Sequence, residues 1–271
     1  MPDADVARWP RGRAVDLVNH LDARWNAKQI VNHSIRRILR TFQRSWECPI
    51  CGYAGPFAAI HPVTGKRPFA ECPHCGGVER ERLQKLVLDQ LALKVDLSTW
   101  EMLHVAPERT LAAYFQQRVH KYETGDIEEA GVNHRIDLRR LPFQDRSYDL
   151  LFASHVLEHI DDDEAALAEI RRVLRAGGLA ILPVPIVQEH TVEYLEPNLL
   201  EHGHVRAPGL DYFDKYRRHF SRVEVVSSFD FPEKYQSYIF EDRTKYPLPS
   251  CPNRKPMPGW RHGDYVPLCW V

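Results

Sequence analysis

Residues 134–185 read HRIDLRRLPFQDRSYDLLFASHVLEHIDDDEAALAEIRRVLRAGGLAILPVP, and this stretch decides the fold. It contains two apolar runs, at 148–153 and 179–184, that each have the length of a buried parallel strand. A helical segment separates the two runs. The pattern therefore predicts a strand, a crossover helix and a second parallel strand. Ligands of open α/β sheets bind at the carboxyl ends of such strands, so the polar residues that follow each run are candidates for chemistry.

The sequence on both sides of this unit continues the alternation of strands and helices. Residues 176–178, Ala-Gly-Gly, are predicted to cap the helix that precedes the fifth strand. The whole pattern predicts an α/β fold with a doubly wound parallel sheet. Further strands are predicted at 101–106, 120–124, 134–136 and 222–227, and helices at 79–93, 109–119, 165–174 and 211–219.

The composition is that of a globular protein with one large core and a small appendage. The chain has 271 residues, a net charge of −1 and six cysteines. No run approaches the roughly 20 apolar residues of a membrane-spanning helix, and the first residues lack the apolar stretch of a secretory signal. We therefore expect a cytoplasmic protein whose cysteines bind metal more than they form disulfides. The near-neutral charge does not favour a surface built for nucleic acid, although a local basic patch is possible.

Four of the cysteines form two C-x-x-C pairs, Cys48 with Cys51 and Cys72 with Cys75, with twenty residues between the pairs. The two thiolates of a C-x-x-C turn can face one tetrahedral ion, and a glycine follows each pair and relieves the backbone there. The arrangement resembles a zinc ribbon. Because four protein ligands leave no open position, we predict a structural Zn²⁺ ion.

The segment that precedes the ribbon is strongly basic, with no acidic residue between Lys28 and Arg44. Its arginines either contact phosphates or an anionic substrate, or form the solvated face of a packed helix. The last residues are rich in proline and aromatic side chains and are predicted to wrap the main domain or to add an antiparallel edge strand. The predicted layout is a basic helical segment at 1–45, a zinc ribbon at 46–78, a linker helix at 79–98, a main domain at 99–240 and a tail at 241–271.

The main domain resembles the second half of a class I S-adenosylmethionine-dependent methyltransferase of the type 11 group. The resemblance covers residues 100–240 and is carried by D-x3-LPF from Asp137, by SHVLEH from Ser154 and by R-x-L-R-x-GG from Arg172. It implies a Rossmann-like sheet that binds S-adenosylmethionine. One departure is the first loop, LHVAPERTL, at 103–111, which lacks the glycines of the family. Glu108 is expected to bind the ammonium group of the cofactor there, and Ala106 and Pro107 leave little side chain to obstruct it.

The resemblance also assigns roles around the nucleoside. Asp126, at the end of the second strand, is expected to accept hydrogen bonds from both ribose hydroxyls, because its two oxygens match two adjacent donors. The alternative is a simple turn aspartate. Asp137 is expected to contact the adenine amine and Leu138 to stack on the ring, and the alternative for Asp137 is a helix cap.

Ser154 and His155 follow the fourth strand, where the resemblance places the methyl group. The donor is already activated, so the protein must align the acceptor and, for a hydroxyl, remove its proton. His155 is the first candidate base, and its alternative role is to line the cofactor pocket. His159 is a lesser candidate, since the equivalent histidine of the family is more often structural.

Acceptor-binding residues are expected after the fifth strand, where the alternation of strands and helices is interrupted. His202, His204 and Arg206 occupy alternate positions, so an extended segment would point all three to one side. They are predicted to contact the acceptor. A second metal site and a polar loop that closes over the site are the alternatives.

The predicted function is methyl transfer from S-adenosylmethionine to a small-molecule acceptor by in-line displacement at an O, N or C nucleophile. Three alternatives remain open at this point. The first is an RNA methyltransferase that holds nucleic acid with the ribbon and the basic helix. The second is an enzyme that acts on S-adenosylmethionine itself, and the third is a non-catalytic scaffold.

Overall fold

The computed structural model describes residues 44–62, 65–186, 188–240 and 261–271. The predicted basic helix at 1–45 therefore lies outside the described residues except at its last two positions, and so do residues 241–260 of the predicted tail. No helix among the described residues combines the length and the apolar character that crossing a membrane requires.

The first part of the described chain consists of two small antiparallel hairpins around the cysteines. Their apolar cluster is small and includes Trp46, Phe57 and the buried Cys48 and Cys72. Little hydrophobic burial is available to such a module. The hairpin strands are β1 (Trp46–Glu47), β2 (Ala54–Gly55), β3 (Ala58–Ile60) and β4 (Arg67–Glu71).

The remaining strands build a central sheet, a two-stranded hairpin and a short antiparallel pair. In chain order they are β5 (Glu101–Val105), β6 (Lys121–Asp126), β7 (His134–Arg135), β8 (Tyr148–Ala153), β9 (Leu174–Ile181), β10 (Val192–Asn198), β11 (His204–Ala207), β12 (Arg222–Ser227), β13 (Ile239–Phe240), β14 (Arg261–His262) and β15 (Tyr265–Trp270). The central sheet has seven strands in the order β12-β15-β9-β8-β5-β6-β7. The strands from β9 to β7 are parallel, and β15 is antiparallel to both of its neighbours.

Four helices and five 3₁₀ turns occur within the described residues and connect these strands. The helices are α1 (Glu79–Ala92), α2 (Arg109–Gln116), α3 (Asp163–Val173) and α4 (Tyr212–His219). The 3₁₀ turns are Leu97–Thr99, Leu157–His159, Leu199–Glu201, Ser228–Asp230 and Glu233–Tyr235.

Helices cover both faces of the sheet, which confirms the predicted doubly wound α/β fold. Leu103 and Leu151 of the two central strands pack with α3 and α4 on one face. Their chain neighbours Met102 and Leu150 pack with α1 and α2 on the other. Since both faces are buried, β5 and β8 appear in the sequence as predominantly apolar runs.

The glycine pair after α3 does not cap that helix, so the predicted cap is wrong. The helix ends at Val173, Leu174 is already extended, and β9 begins there. The register against β8 then shifts, because Tyr148 pairs with Leu174 but Leu150 pairs with Leu179. Gly177, with φ of 76°, therefore lies in a bulge within the strand.

The last described residues also differ in detail from the sequence prediction. The strand that they form, β15, is antiparallel, but it lies inside the sheet between β9 and β12. The edge strand is β12, whose bounds agree with the predicted strand at 222–227. The carbonyl of Pro267 in β15 accepts a hydrogen bond from the Leu182 amide at 3.4 Å.

The bulge in β9 gives a prediction that separates backbone strain from steric exclusion. A Cβ atom at Gly178 would lie 2.8 Å from the Arg175 carbonyl oxygen, whereas one at Gly177 would meet nothing within 4 Å. Gly178→Ala is expected to lower the free energy of unfolding by about 1–3 kcal/mol through overpacking, and Gly177→Ala by about 1–2 kcal/mol through its left-handed backbone. Urea denaturation would measure both losses.

Asparagine variants are the matched control, because asparagine tolerates the left-handed region. Gly177→Asn should be more stable than Gly177→Ala, whereas Gly178→Asn should be no more stable than Gly178→Ala. If asparagine were more stable than alanine by the same amount at both positions, this explanation of the bulge would be contradicted.

Candidate cofactor-binding site

A cavity of about 550 Å³ opens at the carboxyl ends of β5, β6 and β7, and the β10–β11 hairpin covers it. Such strand ends are the usual ligand-binding edge of an open α/β sheet. Several residues predicted from the sequence line the cavity, and they are Ala106, Asp126, Asp137, Leu138 and His159. The hairpin adds wall residues that the sequence did not indicate, and they are Tyr194, Leu195, Glu196, Pro197 and Val205.

The glycine-free first loop turns sharply at Ala106, directly after β5. Ala106 has a φ of 47°, in the left-handed region that favours glycine. Its amide donates a hydrogen bond to the Gly125 carbonyl at 2.8 Å, which ties the loop to the neighbouring strand. The loop therefore adopts a glycine-like backbone with the smallest side chain that has a Cβ atom.

Asp126 is fixed at the edge of the cavity by its own turn. Its Oδ1 atom accepts hydrogen bonds from the amides of Glu128 and Glu129 at 2.7 and 2.8 Å. Within the described part of the chain no group donates to its second oxygen, Oδ2. The carboxylate is thus oriented by one oxygen while the other remains available.

Asp137 is held by Arg139, a cavity residue that the sequence analysis did not identify. The Arg139 guanidinium donates to both Asp137 oxygens at 2.7–3.1 Å and also to Asp161 at 2.7 Å. The hydrogen bond from Arg139 holds the pKa of Asp137 below its usual value. In the sequence, the only indication of this ion pair was the DLRR motif, in which a basic residue follows the acidic residue by two positions.

Glu108 and its neighbour Pro107 are not among the residues that line the cavity. The Oε2 atom of Glu108 lies 2.9 Å from Nε2 of the fully buried His104. Burial alone would raise the pKa of the Glu108 carboxyl, but the hydrogen bond and charge of His104 lower it below its usual value. The other oxygen, Oε1, is buried and has no partner among the described residues.

Ser154 and His155 also lie behind the cavity wall. The Ser154 hydroxyl accepts a hydrogen bond from the Gln84 side chain at 2.8 Å. His155 has a left-handed backbone, with φ of 56°, and its amide donates to the Pro183 carbonyl at 2.8 Å. Burial lowers the pKa of His155 to about 3, so its imidazole is neutral and weakly basic at physiological pH. A strong general base would need a pKa closer to neutrality.

A group of side chains that could ligate a metal ion lies at the cavity wall, around the 3₁₀ turn after β8. The rings of His159 and His204 meet edge to face, with centroids 4.6 Å apart. The Glu158 carboxylate lies beside them, fully buried, and neither of its oxygens has a hydrogen-bond partner in the described chain. Burial raises the pKa of Glu158 and lowers that of His204 to about 4.

Of the three predicted acceptor residues, His204 and Arg206 lie at alternate positions of β11, but His202 does not, so the expected shared face is wrong for His202. His202 is exposed and left-handed, with φ of 56°, because it ends a 3₁₀ turn instead of continuing a strand. Arg206 is buried, and its guanidinium donates to the carbonyls of Leu157, Ile160 and Asp161 at 2.6–2.9 Å. It also pairs with Glu193. Of these three residues, only His204 belongs to the group with Glu158 and His159 that could ligate a metal ion.

The four cysteines come together between the two small hairpins. The Sγ atoms of Cys48 and Cys75 are 3.7 Å apart, as are those of Cys51 and Cys72. All four sulfur atoms lie within 4.8 Å of one another. A tetrahedral zinc site with bonds of about 2.3 Å has sulfur atoms about 3.8 Å apart, so the cluster has the size of a metal site.

Residues 81–182 match the family model Methyltransf_11, described as a methyltransferase domain. Among curated proteins, the chain is 41% identical over 58 residues to an uncharacterized protein from a transposon of Streptomyces fradiae. It is 32% identical over 82 residues to an uncharacterized methyltransferase of Schizosaccharomyces pombe. The two matches cover 21% and 29% of this chain but only 17% and 29% of these relatives.

Among solved structures, the chain is similar to the 1,6-didemethyltoxoflavin-N1-methyltransferase of Burkholderia thailandensis, which was solved with 1,6-didemethyltoxoflavin and S-adenosylhomocysteine. The identity is 16%, the TM-score is 0.47, and the match covers 71% of this chain and 77% of that one. The family match falls on α1 to β9, which include five of the seven strands of the central sheet and the strand ends where the cavity opens. Residues 81–182 are therefore similar to a methyltransferase domain, and they contain most strands of the central sheet.

Proposed function

We propose that the protein transfers a methyl group from S-adenosylmethionine to a small-molecule acceptor. The observation that carries the proposal is the cavity at the carboxyl ends of β5, β6 and β7, with two carboxylates at its edge, inside the region that matches the methyltransferase model. The bound cofactor would supply an electrophilic methyl group on a sulfonium ion. The protein's contribution is then to position the donor and the acceptor.

The residues at the cavity edge suit the nucleoside part of this cofactor. Asp126, with Oδ1 fixed by backbone amides, presents Oδ2 to the ribose hydroxyls. Asp137 would accept from the adenine amine, and Leu138 would pack against the ring from the cavity wall. Arg139 lines the same wall and holds the Asp137 carboxylate in place.

The groups behind the wall suit the amino-acid part and the acceptor. The unpartnered Oε1 of Glu108 would accept from the cofactor ammonium, next to the turn at Ala106 and Pro107. We propose that Ser154 and His155 support the cavity wall beside the methyl group from behind, and that His155 is not the catalytic base, because its lowered pKa makes it a poor base. Among the predicted catalytic histidines, His159 lines the cavity, and we propose that it contacts the acceptor together with His204.

We also propose that the four-cysteine cluster binds one structural Zn²⁺ ion. The sulfur spacing fits, and the four thiolates would complete the coordination shell without an open position for substrate. This role fits the small apolar cluster of the module, which needs a metal to fold. The cytoplasmic location of the protein stays a prediction.

The cofactor proposal predicts the behaviour of Asp126→Asn. Asparagine keeps an oxygen for the turn to Glu128 and Glu129 but replaces the available oxygen by an amide donor and removes the charge. Losing a charged hydrogen bond of about 1.5–3 kcal/mol corresponds to a roughly 10–100-fold weaker affinity. Calorimetric titration of S-adenosylhomocysteine into both proteins would measure the change.

The matched control is Glu129→Gln, which neutralises an exposed carboxylate of the same turn and should leave affinity unchanged. Wild-type protein that binds neither S-adenosylmethionine nor S-adenosylhomocysteine would refute the proposed function. Equal affinities of wild type and Asp126→Asn would refute the role of Asp126.

A further inference from the structure

Three side chains that ligate metals converge at the wall of the cavity. Glu158 and His159 lie in the 3₁₀ turn Leu157–His159, and His204 begins β11. One ligand atom from each lies within 4.8 Å of the others. The Nε2 atom of His204 is 4.0 Å from Oε1 of Glu158. Residues far apart in sequence are thus brought close enough together to be ligands of one ion.

The Glu158 carboxylate has an unusual environment for an acidic group. It is fully buried, and both of its oxygens lack a hydrogen-bond partner in the part of the chain that the structure describes. The nearest polar atom of His155, Nδ1, is 3.2 Å from Oε1 but is not placed for a hydrogen bond. Buried polar groups are nearly always satisfied, so two buried oxygens without a hydrogen-bond partner, beside the imidazoles of His159 and His204, suit a cation as their partner.

The surroundings of His204 support the same conclusion. Its Nδ1 atom faces the Glu201 carboxylate at 3.9 Å, whereas its Nε2 atom faces Glu158. A proton on Nδ1 would be attracted to Glu201, and the Nε2 lone pair would then point to the cluster. A carboxylate on the outer nitrogen is the usual way in which proteins orient a histidine ligand.

The turn that carries the other two ligands is held rigidly. Arg206 donates to the carbonyls of Leu157, Ile160 and Asp161, on both sides of Glu158 and His159. Since Arg206 and His204 lie on the same strand, β11, this contact fixes the distance between the turn and the third ligand. The site is therefore built by the fold and does not depend on a chance meeting of surface side chains.

We propose that Glu158, His159 and His204 bind a divalent transition-metal ion at the cavity wall, separate from the four-cysteine cluster. Two imidazoles and one carboxylate suit the series from Mn²⁺ to Zn²⁺ and leave coordination positions open. His159 lines the cavity, so the ion lies where a small ligand can reach it. The proposal concerns metal binding alone and stands whether or not the domain transfers methyl groups.

Titration of Mn²⁺ into the full-length protein, followed by electron paramagnetic resonance of the free ion, tests the proposal. Thiolates disfavour Mn²⁺, so the four-cysteine cluster contributes little to the signal. The wild type should bind one Mn²⁺ per chain, and Co²⁺ should displace it in line with its higher place in the affinity order. His159→Ala and His204→Ala should each weaken Mn²⁺ binding by about 100-fold or more, given that changes to outer residues alone cost 10–100-fold.

His202→Ala is the matched control, because His202 is an exposed histidine near His204 and lies outside the cluster. It should bind Mn²⁺ as the wild type does. His159 is itself exposed, so its variant is expected to fold, and thermal unfolding would verify this. Absence of saturable Mn²⁺ binding by the wild type, or unchanged Mn²⁺ binding by the folded His159→Ala and His204→Ala variants, would overturn the proposal. In either case Glu158 is a buried neutral acid.

Discussion

Replacing Cys72 by serine is expected to abolish metal binding at the four-cysteine cluster and to unfold the two hairpins around it. The Cys72 sulfur is fully buried and 3.7 Å from that of Cys51, so a serine removes one of four ligands from a closed shell. Structural zinc contributes roughly 10–16 kcal/mol in zinc-finger peptides. The apolar cluster of this module is far too small to replace that free energy.

The effect should spread beyond the hairpins through Arg82 of α1. This arginine is fully buried, and its guanidinium donates to the carbonyls of Ala70, Gly77 and Gln236 at 2.7–3.0 Å. It also lies over the Phe57 ring, 4.4 Å from the centroid. If the hairpins unfold, the guanidinium loses most of its partners while its helix stays packed on the sheet. The thermal midpoint of the whole domain should therefore fall as well.

Reconstitution with Co²⁺ would measure the loss of metal binding at the four-cysteine cluster, because only thiolate ligands give the intense sulfur-to-cobalt charge-transfer absorption. The band should be lost in Cys72→Ser and kept in Cys269→Ala. Cys269 is a matched control because its thiol is equally buried but lies in β15, away from the cluster. An unchanged band and thermal midpoint in Cys72→Ser would contradict the four-cysteine site.

The parts of the fold that were predicted correctly are those that depend on residues close together in the sequence. The strands β5 and β8 are buried on both faces and therefore appear as predominantly apolar runs. The place of β15 had no such signal, because it depends on pairing with β9 and β12, which lie far away in the chain. The glycine pair at 177–178 was ambiguous in physical terms, since a helix cap and a strand bulge both require a positive φ.

The same distinction holds for the candidate site. The cysteines were predicted by spacing alone, whereas Asp126 and Asp137 were predicted by the family resemblance together with their positions after two strands, where the cavity opens. The meeting of Glu158 with His204 was not predictable, because it requires the β10–β11 hairpin to fold back over the turn after β8. Arg206 was assigned to the acceptor from strand alternation, but alternation cannot reveal that backbone carbonyls satisfy its guanidinium.

Arg206→Met is expected to lower the free energy of unfolding by roughly 3–5 kcal/mol, the usual loss when one member of a buried ionic network is removed. Methionine fills a similar volume but leaves the carbonyls of Leu157, Ile160 and Asp161 without donors. It also breaks the ion pair with Glu193. Because these carbonyls frame the turn of Glu158 and His159, the same variant should weaken metal binding at the proposed site. Urea denaturation would measure the stability loss.

Two further variants make the result specific. Arg206→Lys should recover only part of the stability, because one ammonium group cannot reach all the carbonyls that the planar guanidinium reaches. Arg217→Met removes an exposed arginine of α4 that pairs only locally with Asp214, and it should change stability by no more than about 0.5 kcal/mol. The opposite result would be an Arg206→Met protein that unfolds at the same urea concentration as the wild type but no longer binds or methylates its acceptor. In that case the guanidinium contacts the substrate, and its hydrogen bonds to the turn do not stabilise this region.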